Sequence, residues 1–219
     1  LSFMDPAGAA TGKLLPTGNV VDEVRLATGE RYSVTIVDAG NPTAFVCAEE
    51  LDLAGDELPE ALDSNKAVQV KLEAIRRKVG EMMGIAVSQS IPKISFVAPA
   101  RNYMTLTGRV VAKGEVSLLA RVMAMGKMHK VFAITAAIPA AIGAILPDSV
   151  VNRAAGGGLP ISTEREIVIG HPSGIMDLKV NARFDRGGPH IVSCTVGRTA
   201  RKILDGRFCV SGKIYDSKR

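Results

Sequence analysis

One segment stands apart in the alternation of hydrophobic and polar positions along this chain. Val131 to Leu146 runs for sixteen residues without a charge, and most are Ala, Ile or other small or branched apolar types. That pattern predicts a helix apolar on every side, which must be buried in a core or a membrane. Spanning a bilayer takes roughly 20 apolar residues. This stretch is shorter, holds Pro139 in its middle, ends at Pro147-Asp148 and has no second apolar segment to pair with. The expectation is a central core helix whose N-terminal mouth is the basic sequence Lys127-Met128-His129-Lys130.

A second helix is predicted where Val68, Leu72, Ile75, Val79, Met82 and Met83 recur at three- and four-residue steps, with Ser64 or Asn65 as N-cap and Gly84 as the stop. The run Arg76-Arg77-Lys78 is expected on or beside its solvated face. Strand-like alternation marks Glu23 to Leu26, Tyr32 to Asp38, Ala44 to Ala48, Lys93 to Val97, Val116 to Val122, Glu166 to Ile169, Ile175 to Ala182, Ile191 to Val196 and Arg207 to Val210. Turn signals separate most of them: Thr28-Gly29-Glu30, Gly40-Asn41-Pro42, His171-Pro172-Ser173-Gly174 and Asp205-Gly206. Glu49 to Leu62 reads as an acidic loop with a short helical turn. Two helices among eight or nine mostly hairpin-linked strands predict an α+β domain, a curved, mostly antiparallel sheet wrapped around the apolar helix.

Composition narrows the function. The chain has 219 residues, a net charge of +5, no Trp, three Tyr and six Phe. Its Lys and Arg are spread along the whole sequence, and so few aromatics argue against a stacking reader of single-stranded nucleic acid. No nucleic-acid or membrane partner is expected; small anions are. Cys47, Cys194 and Cys209 form no CxxC and sit in strand-like surroundings, so free thiols in a reducing compartment, the cytoplasm, are expected. His129, His171 and His190 are too scattered for a metal site, and no GxSxG elbow or GxxxxGK[ST] loop is present.

Three short polar loops remain, each at a strand or helix end. Lys127, His129 and Lys130 add charge to the free N–H groups and positive dipole of a helix N-terminus, a combination suited to a carboxylate. Asn41 and Ser173 can donate neutral hydrogen bonds that orient it. Taken one at a time, ordinary turn chemistry and solvated lysines explain these residues better; together they motivate a carboxylate site.

At this point the segments Asp5-Pro6-Ala7-Gly8, Thr11 to Gly18, Arg76 to Gly84, Met125-Gly126-Lys127-Met128-His129, Gly170-His171-Pro172-Ser173-Gly174 and Gly197-Arg198-Thr199-Ala200-Arg201 resemble the PrpF family of 2-methylaconitate cis-trans isomerases, with 4-oxalomesaconate tautomerase and methylitaconate isomerase as relatives. Val37 to Thr43 is similar to the Gly-Asn-Pro-His segment of the related epimerases, with Thr43 in place of His. The resemblance implies a diaminopimelate-epimerase-like fold of two similar halves with the active site between them. It covers only the C-terminal half: residues 1–30 would be an inter-domain segment and first strand, and residues 31–219 the epimerase-like domain.

The family's catalytic Cys-Gly-Asn loop and Lys belong to the N-terminal half and are not found here, so no catalytic residue is expected in this chain, which alone would be inactive. Residue 1 is Leu, and a longer polypeptide supplying that half is expected as partner, with homo-oligomers a further expectation. The implied reaction is a cofactor-independent 1,3-proton shift in an unsaturated di- or tricarboxylate. Its carboxylates would be held by Asn41, Lys127, His129 and Lys130, with His171, Ser173 and Gly174 as a second set. A non-catalytic carboxylate-binding or interaction module that keeps the fold is the alternative.

Overall fold

The computed structural model describes residues 1–157, 163–185, 188–197, 201–207 and 209. In chain order the strands and helices are β1 Ser2–Met4, β2 Asp22–Arg25, β3 Arg31–Val37, β4 Thr43–Cys47, α1 Pro59–Ser64, α2 Lys66–Met83, β5 Lys93–Pro99, β6 Tyr103–Met104 and β7 Val110–Val111. They continue with β8 Leu118–Ala124, β9 Lys127–Met128, α3 Ile134–Ile145, α4 Val150–Ala154, β10 Glu164–His171, β11 Gly174–Asp185 and β12 Gly188–Val196. One sheet takes ten of the strands in the order β1-β12-β11-β10-β8-β5-β4-β3-β2, with β9 paired to β8. Among the described residues only β4–β5 and β10–β8 pair in parallel. Residues 1–30, expected as linker and first strand, contribute β1 and β2 to it.

The sheet is apolar on both faces where it is covered twice. Leu118, Ala120 and Val122 of β8 face α3, together with Phe45 of β4, Val97 of β5 and Ile169 of β10. The alternate positions Ile36, Val46, Phe96 and Leu119 face α2, where Leu72, Ile75 and Val79 meet them. A period of two that buries both faces reads in sequence as a continuous apolar run. α3 touches β3 and β4 near one end of the strand order and β10, β11 and β12 near the other, so the sheet curls around it. Every α3 residue from Ala136 to Ile145 is buried, as expected for the central helix.

Helix α2 begins where Asn65 Oδ1 accepts the Val68 N–H and stops at Gly84, whose φ is 67°. Arg76 departs from the solvated face expected for it. It is buried, pairs with Glu73 and donates to the carbonyls of Ser88, Ile91 and Pro92. The Ile91 carbonyl also accepts the Ser88 N–H at 2.8 Å, and the guanidinium adds donors to all three carbonyls of this turn at once. β1, the β6–β7 hairpin, β9 and α4 have no counterpart in the hydrophobic pattern. The strand expected at Arg207 to Val210 falls partly outside the described residues; Arg207 and Cys209 lie in no regular element.

Candidate carboxylate site at the mouth of the central helix

The strand register brings the predicted loops to one end of the sheet. Thr43 pairs with Lys93, and Ile94 pairs with Met123, so the starts of β4 and β5 lie beside the end of β8. The chain then turns back as β9, with Met128 opposite Met123, and the His129 N–H continues the ladder to Val122 at 3.0 Å. β10 runs beside the first part of β8, with Ile169 opposite Leu118. Its closing turn therefore arrives where the β9 strand leaves, and Ser173 Oγ donates to the Lys130 carbonyl at 2.6 Å.

This geometry corrects the expected position of the basic mouth. Lys127 and Met128 are a strand, and α3 begins only at Ile134, after Ala133. Both Ala136 and Ala137 donate to the Ala133 carbonyl, at 2.8 and 2.9 Å. The first N–H groups without an intrahelical acceptor are thus those of Ile134 and Thr135, not groups adjoining His129. The hairpin turn at Met125-Gly126, both at positive φ, uses the residues that sequence pattern assigns to the helix approach.

What reaches the helix mouth instead is Lys93, which sequence pattern marks only as the start of a strand. Its ammonium donates to Thr135 Oγ1 in the first turn of α3, and its backbone N–H binds the Pro42 carbonyl at 2.9 Å. Burial holds Lys93 below the usual lysine value. A partly desolvated cation beside the positive end of a helix dipole is unfavourable unless an anion joins them. Among the described residues Lys93, Lys127 and Lys130 form no ion pair. Lys127 and Lys130 are exposed and His129 half-buried.

Asn41 joins this end through Pro42, and its Oδ1 is buried with no partner. The turn that carries it is fixed from below by Asp38, which is fully buried. Its carboxylate accepts the N–H groups of Ala10 and Thr11 at 2.9 and 2.7 Å and the Thr11 hydroxyl at 2.8 Å. The Asp5–Lys13 loop is thereby tied beside Gly40, whose N–H donates to Pro6. A carboxylate ending an alternating apolar strand was the signal available for this.

The second predicted set is a clamp rather than an open surface. His171 is 6% exposed and its Nδ1 accepts the Ser173 N–H at 3.2 Å. Burial first, and then the charge of Arg121, pushes His171 down to about 4, so the ring is neutral at pH 7. Tyr103 Oη donates to the Gly174 carbonyl, and the Leu106 N–H donates to Pro172 at 2.7 Å. Arg121, 1% exposed, donates to the carbonyls of Glu57, Ala120 and Gly170 at 2.8, 2.9 and 3.3 Å. Only Ser173 of the set projects outward. His171 and buried Gly174 position the turn.

No group of three or more His, Cys, Asp or Glu able to hold a metal occurs among the described residues. No helix among them is long and apolar enough to cross a membrane.

A model of the PrpF protein family matches residues 1–211. The chain belongs to the PrpF family. It is 36% identical to a 2-methyl-aconitate isomerase of Shewanella oneidensis, over 94% of this chain and 53% of that protein. It is 33% identical to a 3-methylitaconate isomerase of Eubacterium barkeri, over 94% of this chain and 54% of the relative. A crystal structure of methylitaconate-delta-isomerase superposes with a TM-score of 0.76 at 32% identity, covering 90% of this chain and 52% of that one. The chain thus spans about half the length of the relatives it matches. Because the family match runs along nearly all of it, the match lends no support to the expectation that the chain is inactive alone.

Proposed function

We propose that this chain is the carboxylate-holding part of an isomerase that moves a double bond in an unsaturated di- or tricarboxylate such as 2-methylaconitate. The observation carrying the reading is the convergence of Lys93, Lys127, Lys130 and the free N–H groups of α3 at one end of the sheet, with no ion pair to any of these lysines among the described residues. One carboxylate would sit against Lys93 and the Ile134 and Thr135 N–H groups, with Asn41 orienting it. A second would reach Lys127, Lys130 and Ser173, beside His129. The architecture fits half of a diaminopimelate-epimerase-like fold.

In the reaction a proton leaves a carbon allylic to the double bond and another is returned two carbons away. Between the two transfers the substrate is a dienolate whose charge spreads onto a carboxylate. Cations and N–H donors fixed at that carboxylate stabilise it, and no cofactor takes part in this scheme. The acid and base are assigned to a second wall of the cleft, outside this chain, where the family's Cys and Lys are expected. Within the chain, Cys194 is buried with its thiol pushed up to about 12, unsuited to proton transfer near neutrality. Cys47 lies at the far end of β4 from the helix mouth.

That second observation also favours the other reading for the isolated chain, carboxylate binding without catalysis. Deuterium incorporation from solvent into 2-methylaconitate separates the two. It should occur with the full-length gene product and fall roughly 100-fold in Lys93→Met, the cost of one charge-assisted contact. Saturable binding by the full-length product with no exchange would sink the isomerase reading. Exchange by this chain alone would overturn the assignment of acid and base elsewhere.

A further inference from the structure

Two of the clefts among the described residues arrange their charges differently. The larger, about 610 Å³, lies along α2, where Arg76, Arg77 and Glu73 face each other as ion pairs. The smaller, about 500 Å³, lies at the C-terminal ends of β4 and β5 against α4. It is one strand length, roughly 13 Å at 3.3 Å per residue, from the start of β4 and the helix mouth. Arg101 and Arg153 line it, and neither forms an ion pair among the described residues. One Arg153 nitrogen makes a 3.3 Å bond to the Asp148 carbonyl. Glu49 also lines the cleft, so two guanidinium groups against one carboxylate leave a net charge of +1.

The walls are built before any ligand arrives. Both oxygens of Glu57 accept backbone N–H groups of the flanking loop, from Ala54 at 2.6 Å and Gly55 at 2.9 Å. Gly55 has a φ of 93°, and a Cβ there would lie 2.1 Å from the Ala98 Cβ, so the loop closes on β5 only with glycine. The Leu53 N–H holds the loop to Ala48 at 3.0 Å. Leu53, Ala98, Pro99 and Val150 supply an apolar lining. A preformed, partly apolar cleft of this size with a few charged groups along its lining is the usual form of a small-molecule site.

We propose that this cavity binds an amphipathic organic monocarboxylate, its head group held by Arg101 and Arg153 and its apolar body against Leu53, Ala98 and Val150. The single net positive charge suits a monoanion, and the apolar lining gives a bare inorganic ion nothing to bury. This site is independent of the isomerase reading.

Cys47 lines the same cavity half-buried and reports on occupancy. With exposed Cys209 replaced by Ser and Cys194 buried, iodoacetamide alkylation follows Cys47. Hexanoate at ten times its dissociation constant should slow that alkylation about tenfold. Hexanamide and inorganic phosphate should not slow it. Arg153→Gln should raise the half-protecting hexanoate concentration about tenfold, with Arg153→Lys recovering part of the loss. Arg101→Gln should act in the same direction; both side chains are exposed, so an unchanged melting temperature verifies folding. Absence of protection up to the solubility of hexanoate, or equal protection by hexanamide or phosphate, would overturn the proposal.

Discussion

Arg121 and His171 occupy the most demanding environments of any side chains at the candidate site. Arg121 is a buried cation that meets carbonyls rather than a carboxylate, with one guanidinium nitrogen left unpartnered. Its charge is one of two causes that keep His171 neutral. The pH dependence follows from the sign of that shift. The unfolded chain takes a proton at His171 near 6.5, whereas the folded chain resists until about 4. Stability is therefore undiminished above the unfolded value and declines as pH falls through it. Urea unfolding should lose about 2 kcal/mol from this residue between pH 7 and pH 5, and His171→Gln should flatten that limb. Glu73, held low chiefly by Arg76, contributes only below the ordinary carboxylate range, so the window belongs to the histidine. In Arg121→Met the His171 ring should titrate closer to 6.5 by NMR; an unmoved midpoint would remove Arg121 from the explanation. Sequence pattern made Asn41, Lys130 and Ser173 visible as turn and terminus chemistry. It could not show Lys93, because a lysine opening a strand after proline looks solvated until the register places it against α3.

The central helix shows how far periodicity reaches. An uncharged run bounded by Pro147 identified α3 and its burial, but not its first residue. The apolar run continues through Val131, Phe132 and Ala133, and only the two-residue β9 ladder with β8 delays the helix to Ile134. Short pairings such as β9 and β6–β7 depend on long-range partners rather than a local period, which is why they left no mark in the pattern. The small residues of α3 have a use of their own. A Cβ at Gly143 would stand 3.0 Å from Val151 Cγ2 and 3.2 Å from its Cβ, so α4 packs directly on the helix backbone. Ser149 caps α4 and ties it there, accepting the Asn152 N–H at 2.9 Å and donating to the Gly143 carbonyl at 2.6 Å. Gly143→Val should cost about 1–3 kcal/mol by overpacking, seen as a lower denaturant midpoint at unchanged slope. Adding Val151→Ala should return part of it. Simple additivity of the two losses would mean that this contact does not set the spacing of α3 and α4.

Across the whole molecule, the end that gathers the carboxylate site is also one that carries unburied apolar side chains. Met125 is 70% and Val131 45% exposed on either side of the Lys127–Lys130 segment. Ile175 and Leu106, at 40% and 41%, flank the turn that presents Ser173. Several exposed apolar side chains around one functional end mark a face that meets another protein surface. With no partner present, two such ends should bury one another, opposed by repulsion between their lysines. Hydrophobic association needs no ions, while like-charge repulsion is screened over about 10 Å at 0.1 M salt. Self-association should therefore strengthen as ionic strength rises, the reverse of an assembly held by salt bridges. Sedimentation velocity over a wide concentration range at low and high salt measures this directly. Met125→Ser together with Ile175→Ser should weaken association at least tenfold, since burying either side chain is worth about 1.5–3 kcal/mol. A polycarboxylate that neutralises Lys127 and Lys130 should promote association at low salt much as added salt does. A chain that stays monomeric throughout, or dissociates as salt rises, would show that the apolar rim does not drive contact at this end.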